Sequence, residues 1–200
     1  MLRTRMLGLG LVGILALVGF TYGQGDDKGK EDKEGYNEIY VPTPQNAVEK
    51  MLDMAKVTKD DIVFDLGCGD GRIVATAAKK FGAKGIGVDL NPVRIKESHA
   101  TVKKFGVEKL VDIRHGNALR VKDLDKATVI CLYMLPEFME KLEPIVKAKL
   151  KPGARIVAHD FPFPNWKADQ SVEFEGIDDS GNKRELKLYL YTVKKEKEKD

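Results

Sequence analysis

A short apolar run that opens into alternating glycines limits this chain more than any other stretch. Residues 62–72 read IVFDLGCGDGR, a segment suited to a buried strand followed by glycine at 67, 69 and 71. Strands covered on both faces and followed by backbone stripped of side chains belong to open, mostly parallel α/β sheets, which receive nucleotide-like ligands at the carboxyl edge of their strands. Glycine lets the backbone approach such a ligand and take positive φ without steric cost. A glycine-rich strand-to-helix turn also occurs with no ligand, so the loop alone does not name one.

Two details select the ligand. The dinucleotide fingerprint puts glycine two and then five places after the first; counted from Gly67 these are Gly69 and Arg72, and Gly71 stands one place early. Asp65 lies on the ligand side of the loop, where its carboxylate repels a pyrophosphate, a group that wants the bare positive end of a helix. S-adenosylmethionine has no phosphate; it carries an ammonium and a sulfonium, and an acid beside the ammonium attracts it. The loop therefore favours this methyl donor over NAD. Asp89, 20 residues after Gly69, ends the next apolar strand, 85–90. A carboxylate there accepts from both ribose hydroxyls; the alternative is a solvated acid near the start of the following helix. Asn117 offers a donor and an acceptor to an adenine edge, or is a plain turn asparagine.

The remaining chain alternates helix and strand. Thr43 as N-cap and Pro44 at the first helical position open a helix with Ala47, Val48, Met51, Leu52 and Ala55 at helical spacing. Further helices are predicted over 72–81, ended by Gly82, over 91–105, ended by Gly106, and over 136–150. Strands are predicted over 110–114, 128–133 and 154–158, and 171–176 with 186–193 form a hairpin across the turn formers DDSGN. The pattern predicts an α/β fold: a Rossmann-like, seven-stranded, mostly parallel sheet with helices on both faces and a C-terminal antiparallel hairpin.

The ends differ in kind from this domain, which is expected over 36–193. Residues 1–25 read as a signal peptide or membrane anchor: Arg3 and Arg5, an apolar run over 6–20, then an imperfect cleavage site at Thr21-Tyr22-Gly23. A helix over that run would be roughly 22 Å long, short of the ~30 Å hydrocarbon core. Either reading exports or anchors the rest of the chain, whereas a mis-assigned start leaves it cytoplasmic. Residues 26–35 form a polar linker and 194–200 a charged tail. Removing Arg3 and Arg5 leaves 32 basic against 31 acidic residues, interspersed, which predicts no nucleic-acid partner. Cys68 and Cys131 make neither a metal pattern nor a disulfide framework by spacing.

DLGCGDGR, GVDLNP and the GNA after the third strand resemble the successive motifs of class I S-adenosylmethionine-dependent methyltransferases, with Asn117 where that family more often has Asp. More narrowly, YVPTP, DLGCGDGRIV, LYMLP and KPGARIVAHDFPFPNW are similar to small membrane-associated protein-lysine methyltransferases related to those acting on mitochondrial ATP synthase and on the adenine nucleotide translocase. The resemblance covers about 40–193. It implies cofactor contacts from Tyr40, Thr43, Asp65, Gly67, Cys68, Gly69, Gly71, Asp89, Leu90, Asn117 and Ala118, with residues 40–43 folded over the cofactor. It also implies an enzyme acting on a protein lysine; the chain is expected to be a monomer. A small-molecule acceptor, an NAD-dependent oxidoreductase and an exported non-catalytic binding domain of the same fold are the alternatives.

Methyl transfer from sulfonium to amine is an in-line displacement that needs alignment, desolvation and no covalent enzyme intermediate. The lysine must shed its proton, which burial in an apolar or aromatic channel promotes. Tyr133 is the candidate for lining that channel, because the fourth strand lies beside the first in the family's sheet order; the alternative is a core aromatic. Asp160, at the end of the fifth strand, would hold or deprotonate the amine, or is a turn acid. His159 and Trp166 are expected to be structural. In an oxidising compartment Cys68 and Cys131, on adjacent strands about 4.8 Å apart, would be placed for a disulfide.

Overall fold

The computed structural model describes residues 40–195. In chain order the elements are α1 (Gln45–Met54), β1 (Ile62–Leu66), α2 (Arg72–Phe81), β2 (Lys84–Asp89), α3 (Pro92–Phe105), β3 (Val111–His115), β4 (Val129–Leu132), α4 (Pro136–Lys149), β5 (Arg155–His159), β6 (Gln170–Ile177) and β7 (Lys183–Thr192). The strands form one seven-stranded sheet in the order β3-β2-β1-β4-β5-β7-β6. The first five pair in parallel, and β7 runs antiparallel to both β5 and β6. The predicted fold class is the observed one. The proposed leader, linker and charged tail lie outside the described residues, apart from Lys194 and Lys195 of the tail.

Alternation along β1 sorts the core into two layers, as a strand's two-residue period requires. Val63 packs with Val48, Met51 and Leu52 of α1 and with Ile73 and Ala77 of α2. Phe64 and Leu66 turn the other way, onto Met139, Leu142 and Val146 of α4. Helices therefore cover both faces and leave the carboxyl edge of the parallel strands open to loops.

Two local features decide what stands at the edges. At the amino edge Asp61 accepts from Thr58 N (2.8 Å), Thr58 Oγ1 (3.2 Å) and Thr128 Oγ1 (2.7 Å) and pairs with Arg155, whose other nitrogen donates to Ala55 O (2.6 Å). At the carboxyl edge the antiparallel register sets His159 opposite Leu188, so β7 begins several residues beyond the end of β5. That overhang brings Arg184 to Tyr133, after β4, and Arg184 and Lys187 to Asp160, after β5.

One capping expectation needs correction. Pro44, not Thr43, is the N-cap of α1, and no side chain among the described residues caps that helix. Asn91 does cap α3, accepting from Val93 N at 2.9 Å. The reason for the difference is a distant partner for the Thr43 hydroxyl, which belongs to the site.

Candidate functional site

The glycine loop leaves β1 in left-handed backbone, with φ of +92° at Gly67 and +54° at Gly69. Space is as restrictive as conformation: a Cβ on Gly67 would run into Met134 Sδ, and one on Gly69 into the Tyr40 ring. The loop is also held from outside. Gly67 N and Cys68 N donate to Val88 O (2.8 and 3.0 Å), and Ser98 Oγ donates to Gly69 O (2.6 Å). Asp89 accepts from Gly69 N through Oδ2 and from Asn91 N through Oδ1, both at 2.8 Å. A carboxylate offers about four lone-pair sites, so two stay open for ribose hydroxyls.

Asp65 is 2% exposed, and its Oδ2 finds no hydrogen-bond partner among the described residues. Burial first, and then the nearby carboxylates of Asp89 and Asp70, raise its pKa well above the usual carboxylate range. A buried acid without a partner is costly, which marks a place built for a ligand cation. The loop and this orphaned oxygen fit S-adenosylmethionine, whose ammonium would supply the missing donor.

A strap formed by residues 40–44 crosses the loop. The Tyr40 hydroxyl accepts from Asp70 N at 3.2 Å, and the Arg94 guanidinium lies 4.3 Å above the Tyr40 ring. Thr43 Oγ1 lies 3.2 Å from His159 Nδ1, and Thr43 O accepts from Arg72 Nη1 at 3.1 Å. Arg72 is also bonded to Asp70 (Nη2 to Oδ2, 2.8 Å) and to Asp179 in the β6–β7 turn (Nη2 to Oδ2, 2.7 Å). It thus ties strap, glycine loop and hairpin together, a role that its place as the missing third glycine did not suggest.

The other cofactor candidates divide. Leu90 O accepts from His115 Nε2 at 2.8 Å at the ligand edge. Asn117 Oδ1 accepts from Leu119 N at 2.9 Å and starts a short 3-10 turn, and Ala118 packs into the α4 layer. Cys68 Sγ lies 3.6 Å from Ser98 Oγ, while Cys131 is buried in the α1/α2 layer.

Both thiols are free, so the expected disulfide is absent. β1 and β4 are adjacent as expected, but Cys131 lies opposite Asp65, three residues before Cys68. Thiol titration without reductant should find both sulfurs inert in the native protein and two per chain in denaturant; none in denaturant would restore the disulfide.

Across β4 from the loop stands an aromatic and charged cluster. Tyr133 stacks on His159 (centroids 3.9 Å apart) and on Phe161 (6.2 Å). Its hydroxyl accepts from Arg184 Nη2 at 3.0 Å. Asp160 takes positive φ (+58°), and its Oδ2 accepts from Arg184 Nη1 at 2.8 Å while Oδ1 accepts from Lys187 N at 3.0 Å. Burial, opposed by the Asp160 carboxylate, lowers the His159 pKa to about 4, so its ring is neutral. Trp166 packs with Phe163 and Tyr191, apart from this cluster. Arg184 escaped sequence reading because its strand looked to begin at Leu186; only the overhang of β7 brings it here.

The family model described as the ANTKMT methyltransferase domain matches residues 65–170. A protein-lysine N-methyltransferase of Saccharolobus islandicus (strain REY15A) is 43% identical over 155 residues, which are 77% of this chain and 92% of that one. A lysine N-methyltransferase of Homo sapiens, named for its action on ATP synthase, is 35% identical over 145 residues, 70% of this chain and 58% of the relative, so this chain spans less than two thirds of that protein. Among solved structures, an RNA methyltransferase from Salinibacter ruber in complex with S-adenosyl-L-homocysteine has 39% identity and a TM-score of 0.70, covering 80% of this chain and 98% of that one. The strap, Asp179 and Arg184 all lie outside the residues that the family model matches.

Proposed function

This chain belongs to the family described by the ANTKMT methyltransferase domain, and from that premise we propose that it transfers the methyl group of S-adenosylmethionine to the ε-amine of a protein lysine. The observation that carries the cofactor is Asp65, a buried carboxylate with an unpartnered oxygen under a glycine loop. The acceptor class rests on the relatives, of which the Saccharolobus islandicus protein is matched over nearly its whole length. The NAD reading is disfavoured, because the acids Asp65 and Asp89 stand at the loop where a pyrophosphate would lie, and neither welcomes a second anion. A non-catalytic domain is disfavoured by the family itself.

When bound, S-adenosylmethionine supplies an electrophilic methyl group on a sulfonium. The residues of this chain do the rest. Asp65 pairs with the ammonium, Asp89 accepts from the ribose, and the strap led by Tyr40 keeps water from the loop. Tyr133, His159 and Phe161 offer an aromatic wall to the aliphatic stem of a lysine, and a wall of that kind favours the neutral amine. Asp160 is already engaged by Arg184 and serves poorly as a base. The apolar run at 6–20 supports the further reading that the domain works beside a membrane, exported or anchored by that segment, and we read it as a monomer there.

The test supplies labelled methyl donor and purified full chain to total protein and, separately, to total RNA, the second because of the Salinibacter ruber relative. Label in protein that survives hydrolysis as methyl-lysine is the expected result. Label in RNA alone would overturn the reading.

A further inference from the structure

The ion pair at the end of β5 is built at a cost. Asp160 is a non-glycine residue in left-handed backbone, with φ of +58°, a conformation that L side chains seldom adopt. It is held there from both sides: its N–H donates to Lys187 O at 2.7 Å and its Oδ1 accepts from Lys187 N at 3.0 Å. The strained turn directs the other oxygen onto Arg184 Nη1, 2.8 Å away. The same guanidinium donates through Nη2 to the Tyr133 hydroxyl at 3.0 Å and lies 3.5 Å from His159 Nε2. One cation from the hairpin therefore cancels the acid at the rim and fixes the phenol at the end of β4.

We propose that Arg184 is a positioning residue for methyl transfer: by neutralising Asp160 and holding the Tyr133 oxygen, it makes the acceptor lysine arrive at the aromatic wall as a free amine. This rests on the protein-lysine reading above. An unopposed carboxylate at this rim would attract the ε-ammonium and raise the lysine's pKa, which is the wrong outcome for a nucleophile. With Asp160 paired, no unopposed acid of this cluster, among the described residues, keeps the lysine's proton, which leaves to solvent before transfer. The Tyr133 oxygen, having accepted one bond from Arg184, retains a lone pair for an amine N–H.

The other groups do not substitute for this pair. His159 is neutral, Lys187 turns its ammonium to Glu173 on β6 at 2.5 Å, and Thr43 carries no charge. On the cofactor side Asp65 faces the donor's ammonium, while Asp70 and Arg72 are bonded to each other.

The test measures the rate of methyl-lysine formation on total protein as acceptor, at saturating labelled donor, from pH 6.5 to 10. The full chain is compared with R184Q, R184K, D160N and the R184Q/D160N double variant. R184Q should be about tenfold slower at pH 7.5 and shift its profile about one unit to higher pH, since one unit corresponds to a tenfold change in the neutral fraction. R184K should stay at the wild-type position, and D160N in the R184Q background should return the profile towards it. D160N alone leaves Arg184 unopposed and should shift the profile to lower pH. Affinity for S-adenosylhomocysteine should change by less than about twofold throughout, which separates positioning from damage to the fold. An R184Q profile superimposed on wild type overturns the proposal. If R184Q does not fold, a D160N profile at or above the wild-type position overturns it equally. A wild-type chain that methylates no lysine defeats the parent reading, and this one with it.

Discussion

Replacing Asp65 with Asn should weaken S-adenosylhomocysteine binding by roughly 100-fold and leave the unliganded domain at least as stable as before. The first part follows from the charge pair: removing one member of a buried, hydrogen-bonded pair costs about 2–5 kcal/mol, and 1.4 kcal/mol is tenfold in affinity. The second follows from the orphaned oxygen, because an unmet buried acceptor already costs the unliganded protein about 1–3 kcal/mol. An amide of the same shape removes the charge that burial, Asp89 and Asp70 all oppose.

The pH dependence carries a sign that checks the assignment. Asp65's folded pKa lies above its unfolded value, so its contribution to stability is fully present below the ordinary carboxylate pKa and is lost as pH rises through the folded one. The ligand's ammonium wants the ionised form, so wild-type affinity should climb over the range where unliganded stability falls. In D65N both slopes should flatten. Calorimetric titrations at several pH values, with melts beside them, read both effects, and a D65N affinity within threefold of wild type would remove Asp65 from the ammonium site.

What could be read in advance was whatever the chain decides locally. The alternation of strands and helices, the glycine spacing and the Asn91-Pro92 helix start are set by neighbours in sequence, and they stand where the pattern puts them. Thr43 shows the limit. A threonine before a proline is a good cap by local preference, but its hydroxyl is taken by His159, 116 residues on. Asp89 could be placed at a strand end, yet nothing local shows that one oxygen holds Gly69 N.

The hairpin runs longer than its apolar pattern for a related reason. β7 starts at Lys183 rather than Leu186, because the charged KRE breaks the apolar pattern although its backbone pairs with β6. Arg184 and Asp179 reach the site only through that extra length. The two cysteines fail in the opposite way: strand adjacency was legible, but register and face were not, and these leave Cys131 opposite Asp65.

Asp61→Ala should have the reverse character of D65N, lowering stability by about 3 kcal/mol while the folded fraction binds S-adenosylhomocysteine normally. Asp61 accepts from Thr58 N, Thr58 Oγ1 and Thr128 Oγ1 and pairs with Arg155, so its loss strands several donors and a cation. At about 2–4 °C per kcal/mol for a domain of this size, the melting temperature should fall by roughly 6–12 °C. Burial alone would raise its pKa, but the Thr128 and Thr58 hydrogen bonds and the Arg155 charge outweigh that and hold it below the usual value. Its stability is therefore present above the unfolded carboxylate pKa and lost as pH falls through the folded one, opposite in slope to Asp65. The two acids stand four residues apart, about 13 Å at ~3.3 Å per residue of strand, with no partner in common. Their effects on stability should add within about 0.5 kcal/mol in the double variant. Denaturant melts of both single variants and the double test this, and a D61A protein that melts at the wild-type temperature would show that the amino-edge network contributes nothing to holding β1 in place.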